Sequence, residues 1–445
     1  MLTKVQPHQD MSGAEIRIGE AVFPSPFETG LEFSAPARGP WNIVHTGMLV
    51  PESHQIFACA RGCLRGVILT AAEMNAMNRM SWVSLEENDL FSGKMEQDLT
   101  DGCIHILEQM NRKPKAVLLF VSCLHLFSGF DFTLVLEQLR ERFPEIDFIE
   151  CYMHPTMRKS GLTPDQMMRQ QLFAPLKPLP ENPKAVAIIG NDRPTDPESF
   201  LCRSLTGNGF ELQDITLCKK YEEYRRMGES SLMIATYPPA KAGAEHLAKR
   251  LNRKFFYYPL SYSFVENARN QKCFLELLGL PEVDPELQIR TAEDVLKRTK
   301  DLIGNIAIEI DYTSTPRPLG LARLLLEHGF DVKRVYADVF IGEEKEDFEF
   351  LKANYPDLLL TATVHVKMRF SGKGCRTDEP VLAIGQKAAY FSGTRHFVNI
   401  VAGGGAHGFE GIIRMCEWMV DAFKNEKNTK EVIKLKGLGC ESCLL

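Results

Sequence analysis

The sequence predicts an α/β protein of three Rossmann-like domains in series, each with a parallel sheet flanked by helices. Three observations carry that expectation. Apolar runs such as residues 117–121 alternate with amphipathic helical stretches, and strands apolar on both faces belong in parallel sheets covered from both sides. A length of 445 residues exceeds one ordinary core and suits two or three domains of about 100–200 residues each. The pattern stops at Pro175-Leu176-Lys177-Pro178-Leu179-Pro180-Glu181-Asn182-Pro183, where four prolines forbid regular structure, and then restarts.

The divisions fall at 1–180 (an N-terminal arm and a first α/β domain), 181–300, 301–428, and a tail of 429–445. The first 40 or so residues are Pro/Gly-punctuated and read as an arm laid over another domain or subunit. Residues 55–60 form a strand, and 96–110 carry Leu99, Cys103, Ile106, Leu107 and Met110 at helical spacing. Strand 117–121, helix 132–143 and strand 147–153 follow. The second unit reads as strand 185–189, helix 196–208 stopped by Gly209, strand 232–236, helix 240–251 and strand 255–258. The third reads as strand 306–310, a polar loop, helix 319–328 stopped by Gly329, strands 332–336, 358–363 and 397–401, and helix 409–423. No short-period repeat interrupts this order.

Composition bounds the function classes. With 44% apolar and 25% charged residues the chain is an ordinary globular one. A net charge of −6 gives no basic footprint, so nucleic acid is not an expected partner. The N-terminus has no apolar signal segment, and no apolar run approaches the roughly 18–20 residues of a membrane helix. A cytoplasmic protein without membrane attachment is expected, its twelve cysteines free thiols or metal ligands rather than disulfides. Cys103, Cys151, Cys202, Cys218 and Cys416 sit singly in apolar or helical contexts and read as small core hydrophobes.

Three thiols stand apart. Cys59 ends the strand 55–60, Cys63 follows four residues later across a Gly-containing turn, and Cys123 ends the run 116–121. Strand ends form the ligand-binding face of open α/β sheets, and three thiolates there are able to hold an iron–sulfur cluster. The spacing Cys59-x3-Cys63 is not that of zinc ribbons or ferredoxins, and buried inert thiols are the competing reading.

His54 with Cys59 five residues on resembles the His-Gly-Pro-x-Gly-Cys segment of nitrogenase component 1 subunits. Glu87-Asn88-Asp89-Leu90-Phe91-Ser92-Gly93 is similar to their Glu-x-Asp-(Ile/Leu)-x-(Phe/Tyr)-Gly. Ser122-Cys123 with Gly129-Phe130-Asp131 looks like their Ser-Cys followed by Gly-Asp-Asp, at a comparable separation from Cys59. Gly385-Gln386-Lys387 and Gly405-Ala406-His407-Gly408-Phe409-Glu410-Gly411 look like the closing segment, so the resemblance spans roughly residues 40–425.

The resemblance implies a cluster at the interface of two related subunits, fed with electrons by an ATP-dependent iron protein. Cys59 and Cys123 match two of the three usual ligands. At the position of the first stands Phe33-Ser34-Ala35-Pro36, and no cysteine precedes Cys59. Cys63 is the replacement, which favours a single 4Fe–4S cluster over an eight-iron one, with a further ligand from the partner. His407 falls where the family's α subunits hold a second, large metal cofactor, whereas their cysteine anchor aligns near Ala244-Glu245-His246, without a thiol. Dinitrogen reduction is therefore not expected. A turn residue remains the alternative for His407.

Weaker candidates complete the set. Asp311-Tyr312-Thr313-Ser314-Thr315-Pro316-Arg317-Pro318-Leu319 is a polar loop between a strand and a helix start, either an anion or substrate site, with Arg317 its candidate residue, or an N-capping loop. Lys367, Arg369, Lys373 and Arg376 share a Gly-containing loop that suits an anionic substrate or is simply solvated. Cys440 and Cys443 form a terminal C-x2-C, a candidate redox or metal pair. No phosphate-binding glycine motif is present, so ATP hydrolysis is assigned to a partner. The leading expectation is a nitrogenase-like reductase subunit, an oligomeric electron-transfer oxidoreductase with a substrate other than dinitrogen. The same superfamily also offers a cofactor-assembly scaffold and a non-catalytic partner of a paralogous subunit.

Overall fold

The computed structural model describes residues 11–35, 37, 42–153, 162–370 and 380–428. The arm forms a short strand, β1 (Glu15–Arg17). The first sheet comprises β2 (Ser53–Ala60), β3 (Met80–Leu85), β4 (Ala116–Ser122) and β5 (Asp147–Met153), all parallel in the order β3-β2-β4-β5. The second comprises β6 (Asn182–Ile188), β7 (Glu211–Asp214), β8 (Ser230–Ala235) and β9 (Lys254–Tyr257), parallel in the order β7-β6-β8-β9. The third is built on β10 (Ala307–Asp311), β11 (Asp331–Tyr336), β12 (Leu359–Thr361), β13 (Val381–Ile384) and β14 (Phe397–Val398). Its order is β1-β12-β11-β10-β13-β14, with β1 antiparallel at the edge. The arm thus lies on the third sheet and covers its open edge.

Strand β4 shows why these runs are parallel and central. All seven of its residues are buried. Val117, Leu119 and Val121 enter one core and Leu118 and Phe120 the other, the two-residue alternation of a strand covered on both faces. The second of these cores also takes in Ala187, Met233 and Ala235 of the next sheet, so the first two sheets share apolar packing. The helices Pro164–Leu172 and Lys241–Leu251 lie in that shared layer.

Three departures from the sequence expectation have local causes. The helix expected over 196–208 is Phe200–Gly207, because Ser199 accepts a capping hydrogen bond from the Cys202 N–H while Asp196 pairs with Arg414 instead. Strand β6 starts inside the proline-rich linker. Pro183 offers no N–H to the ladder, and the pairing with β8 is irregular between Asn182 and Val186. The strand expected over 397–401 is only β14, two residues long, since the chain turns into the 402–405 glycine loop. Two long helices that the sequence pattern did not single out, Phe264–Leu278 and Glu286–Ile303, join the second sheet to the third.

Candidate functional site

In each sheet one pair of adjacent strands sends its connections to opposite sides, which opens a crevice at the carboxyl ends. These pairs are β2/β4, β6/β8 and β10/β13. The residues that follow each pair decide what the crevice contains.

At β2/β4 they are thiols. Cys59 is buried near the end of β2, Cys63 is exposed in the first turn of the helix Arg61–Glu73, and Cys123 opens the short helix Cys123–Ser128, half-buried. The register Ala58↔Val121 sets the end of β2 beside the end of β4. Burial pushes the Cys59 thiol up to about 12, and repulsion from Cys63 and Cys123 adds to the effect. The three sulfurs therefore share one electrostatic site. Arg61, two residues from both Cys59 and Cys63, is paired with Glu86 at 2.7 Å. Among the described residues no three His, Cys, Asp or Glu side chains form a site for one metal ion. In a cluster each cysteine binds its own iron, so its ligands stand farther apart than those of a single ion. His125, which sequence reading passed over, caps this region by accepting the Ser122 N–H at 3.1 Å. At the carboxyl ends of the same sheet, the short helices after β3 and β4 carry Phe91 and Phe127, 89% and 74% exposed, with Leu126 half-exposed.

At β6/β8 the crevice is closed. Gly190 adopts φ +79° and leads into Asn191 and Asp192, Thr236 and Tyr237 follow β8, and the 402–407 loop of the third unit lies over them. They enclose a cavity of about 30 Å³. His407 is buried, its Nε2 2.9 Å from the Tyr258 carbonyl and its ring edge-on to Tyr258 at 4.5 Å. A carbonyl only accepts, so Nε2 carries the proton and Nδ1 the lone pair. Burial pushes His407 down to about 4, only partly opposed by the Tyr258 bond, and the ring is neutral at pH 7. Nδ1 has no partner. Gly405, at φ +85°, lets the loop approach so closely that a Cβ there would lie 2.2 Å from the Pro194 carbonyl oxygen. Ala244 is fully buried in the core of its helix and His246 is exposed, so neither offers a second ligand to His407.

Beside this cavity lies a group that the sequence reading did not single out. Arg169 is buried and donates to the Gly190 carbonyl and to Asp165 at 3.1 Å, and its guanidinium lies 2.9 Å from the Asp192 carboxylate and 4.6 Å from the Tyr237 ring centre. It ties the helix Pro164–Leu172 to the crevice loop of the second sheet. Only its position four residues after Asp165 was visible in advance.

At β10/β13 the crevice is filled by the chain itself. The Asp311 carboxylate accepts from the Thr313 and Ala388 N–H groups, each at 2.8 Å, and Gly385 at φ +111° makes room for it. Arg317 is not among the residues that line the cavity beside Pro316. It is buried against Glu266 at 2.6 Å and Asp347 at 3.4 Å. The structure therefore brings Cys59, Cys63 and Cys123 together, holds His407 at a separate crevice, and commits Arg317 to internal ion pairs. Lys373, Arg376, Cys440 and Cys443 lie outside the described residues.

The chain matches the model of the nitrogenase component 1 type oxidoreductases over residues 45–424. It belongs to that family. The fold agrees with a solved structure titled "Nitrogenase Cp1 at pH 6.5", with a TM-score of 0.66 and 14% identity over 91% of this chain and 95% of that one. A second, "Nitrogenase Cp1 at pH 5", gives a TM-score of 0.56 and 13% identity over 93% and 94%. At such identities the likeness is one of fold. No curated protein matches the chain. Among the described residues no helix is long and apolar enough to cross a membrane.

Proposed function

We propose that this family member is one subunit of a reductase that takes electrons from an ATP-dependent iron protein, through a 4Fe–4S cluster, to a substrate other than dinitrogen. The observation that carries the reading is the gathering of Cys59, Cys63 and Cys123 at the β2/β4 crevice of a chain in this family. The residues fit such a cluster: sulfur donors, a mutual repulsion that a cationic iron core relieves, and unequal burial. When bound, the cluster would supply one-electron transfer. Cys59 would anchor it from inside the sheet, and Cys63 would hold its solvent side. Phe91, Leu126 and Phe127 are exposed apolar side chains on the helices at this end of the sheet, and they would leave water once a homologous or identical subunit, able to add a fourth ligand, covers them.

The three sheets support a division at residues 180, 300 and 428, with Cys440 and Cys443 in a separate tail. We further place the protein in the cytoplasm, where the nine free cysteines among the described residues would stay reduced.

A second, large metal cofactor at His407 does not fit. The cavity is about 30 Å³ and the alignment partner of its thiol anchor is the core residue Ala244. The scaffold reading needs this junction to open and is the weaker one.

Iron and sulfide content with EPR on anaerobically purified protein tests the proposal, beside a Cys59→Ala/Cys123→Ala variant. About four irons per subunit or dimer, lost in the variant, are expected. An iron-free wild type would leave the thiols as core packing. ATP- and iron-protein-dependent substrate loss distinguishes a reductase from a scaffold, which would transfer its cluster to an apo-acceptor.

A further inference from the structure

We propose that the cavity at the amino ends of the first sheet binds a small phosphorylated molecule, its phosphate groups held by Arg79, Arg112, Lys113 and Lys219. The site goes beyond the reductase reading and does not depend on the thiols. Ser53 lines the cavity and Cys59 lies six residues farther along β2, so about 20 Å of extended strand separates the two places.

The cavity measures about 850 Å³ and opens between the first two units, since residues 48–54, 78–79 and 110–114 line it together with Cys218 and Lys219. Pockets for organic ligands typically enclose about 300–1,000 Å³, far more than an inorganic ion fills. Four cations and one carboxylate, Glu52, face it, a local excess of three positive charges in a chain whose net charge is −6.

What holds the cations leaves their charge unanswered. The Arg79 guanidinium donates to the carbonyls of Met48 at 3.1 Å, Val50 at 2.6 Å and Ser53 at 3.1 Å, and to the Ser53 hydroxyl at 2.9 Å. Lys113 donates to the Leu107 carbonyl at the end of the helix Met95–Gln109. These bonds fix both side chains in place, but their acceptors carry no net charge. Among the described residues no carboxylate forms an ion pair with Arg79, Lys113 or Lys219. Glu52 is spent on Arg112 at 2.9 Å and on the Tyr221 N–H at 3.0 Å. Glu223 accepts from the Lys219 and Lys220 N–H groups and is balanced by Lys220. His54, in the same cavity, is pushed down to about 4 by burial and then by the Arg79 charge, the trace of a cation that no anion neutralises.

Charges of one sign gathered in a cleft focus their field on it, and their complement is an anion of two or more charges. Guanidinium and ammonium groups are the usual partners of phosphate oxygens. Met48 and Met110 line the same space and offer apolar contact to the organic part. The walls are already in place. Glu52 adopts φ +53°, unusual for a residue other than glycine, and its two carboxylate oxygens tie the Arg112 loop of the first unit to Tyr221 of the second.

Calorimetric titration of the full chain with pyrophosphate at low ionic strength tests the site. Wild type is expected to bind one equivalent, about tenfold or more tightly than sulfate. Lys113→Gln/Lys219→Gln removes two charges, keeps a donor for the Leu107 carbonyl, and should weaken binding about tenfold. Glu52→Gln removes the opposing charge, keeps an acceptor for the Tyr221 N–H, and should tighten binding, a change of sign that a folding defect does not imitate. The Cys59→Ala/Cys123→Ala variant should bind pyrophosphate as wild type does, with or without iron in the chain, so the failure of the cluster reading and of this one are read separately. Equal affinity in wild type and the lysine variant, or for pyrophosphate and sulfate, would overturn the proposal and leave an adventitious ion only. Tighter binding of the tricarboxylate tricarballylate than of pyrophosphate would overturn the choice of phosphate.

Discussion

The β2/β4 and β6/β8 crevices share one strand order and differ in everything that follows the strands. The first opens on solvent, with thiols of graded burial and exposed Phe91 and Phe127 along its edge. The second is covered by a glycine loop from the third unit, with His407 anchored to the Tyr258 carbonyl and Arg169 to Asp192. Topology provides both crevices at no cost in sequence, and the few residues after each strand decide whether one waits for a partner or becomes part of the core. The sealed crevice should therefore govern stability and the open one assembly.

The largest effect is expected at Arg169. Arg169→Ala would leave Asp192 buried without its counter-ion, at a cost of about 3–5 kcal/mol in unfolding free energy by urea titration. A loss below about 1 kcal/mol would mean that the sealed crevice is not held by this charge.

Acid sharpens the contrast next. His407 titrates near 4 in the folded chain against 6.5 when unfolded, so below pH 6.5 the unfolded state takes up the proton first. Stability from this group is full above the unfolded value and falls as pH drops from about 6.5 to 4, by roughly 3 kcal/mol. His54, also lowered to about 4 by burial and by Arg79, loses stability in the same window, so the slope should flatten in His407→Gln without vanishing. An identical slope in wild type and variant would place the acid sensitivity elsewhere.

How much of this was legible beforehand depends on the range of the interaction. Strand β5 was readable to the residue, and β4 to within one at each end, because an apolar run bounded by polar or turn residues states its own limits. Cys59 and Cys123 were legible as a pair because strand ends in a parallel sheet meet. Asn191 was not: its amide is fixed at the β6/β8 cavity because Asp214, 23 residues on, holds its nitrogen. Nor was Arg169, an apparently ordinary helical arginine that Asp192 makes a buried one. The loop at Asp311 read either as an external anion site or as an N-capping loop, and its N–H groups are taken by the chain's own Asp311 carboxyl, which also accepts from the Ala388 N–H 77 residues later.

A smaller effect is expected where backbone and packing meet. Gly405→Ala combines a left-handed φ of +85° with a Cβ 2.2 Å from the Pro194 oxygen, and the loop must shift. About 2 kcal/mol of stability should be lost, together with a change in Tyr237 and Tyr258 near-ultraviolet signals as the junction loosens. Unchanged stability would show that the loop moves freely and that the crevice is not sealed by it.

The open edge should behave in the opposite way. Phe127 is 74% exposed and stabilises little in the isolated subunit, so Phe127→Ser should alter unfolding free energy by no more than about 0.5 kcal/mol. In an assembly the same ring would leave water, and an aromatic anchor at an interface centre typically contributes about 2 kcal/mol or more to association. Sedimentation equilibrium of the chain, alone and with a paralogous subunit, separates the two quantities. Weakened association with unchanged folding is the expected pair. Intact association would move the interface away from the thiol edge and leave Cys63 facing solvent, an exposure that a 4Fe–4S cluster at this position does not suit.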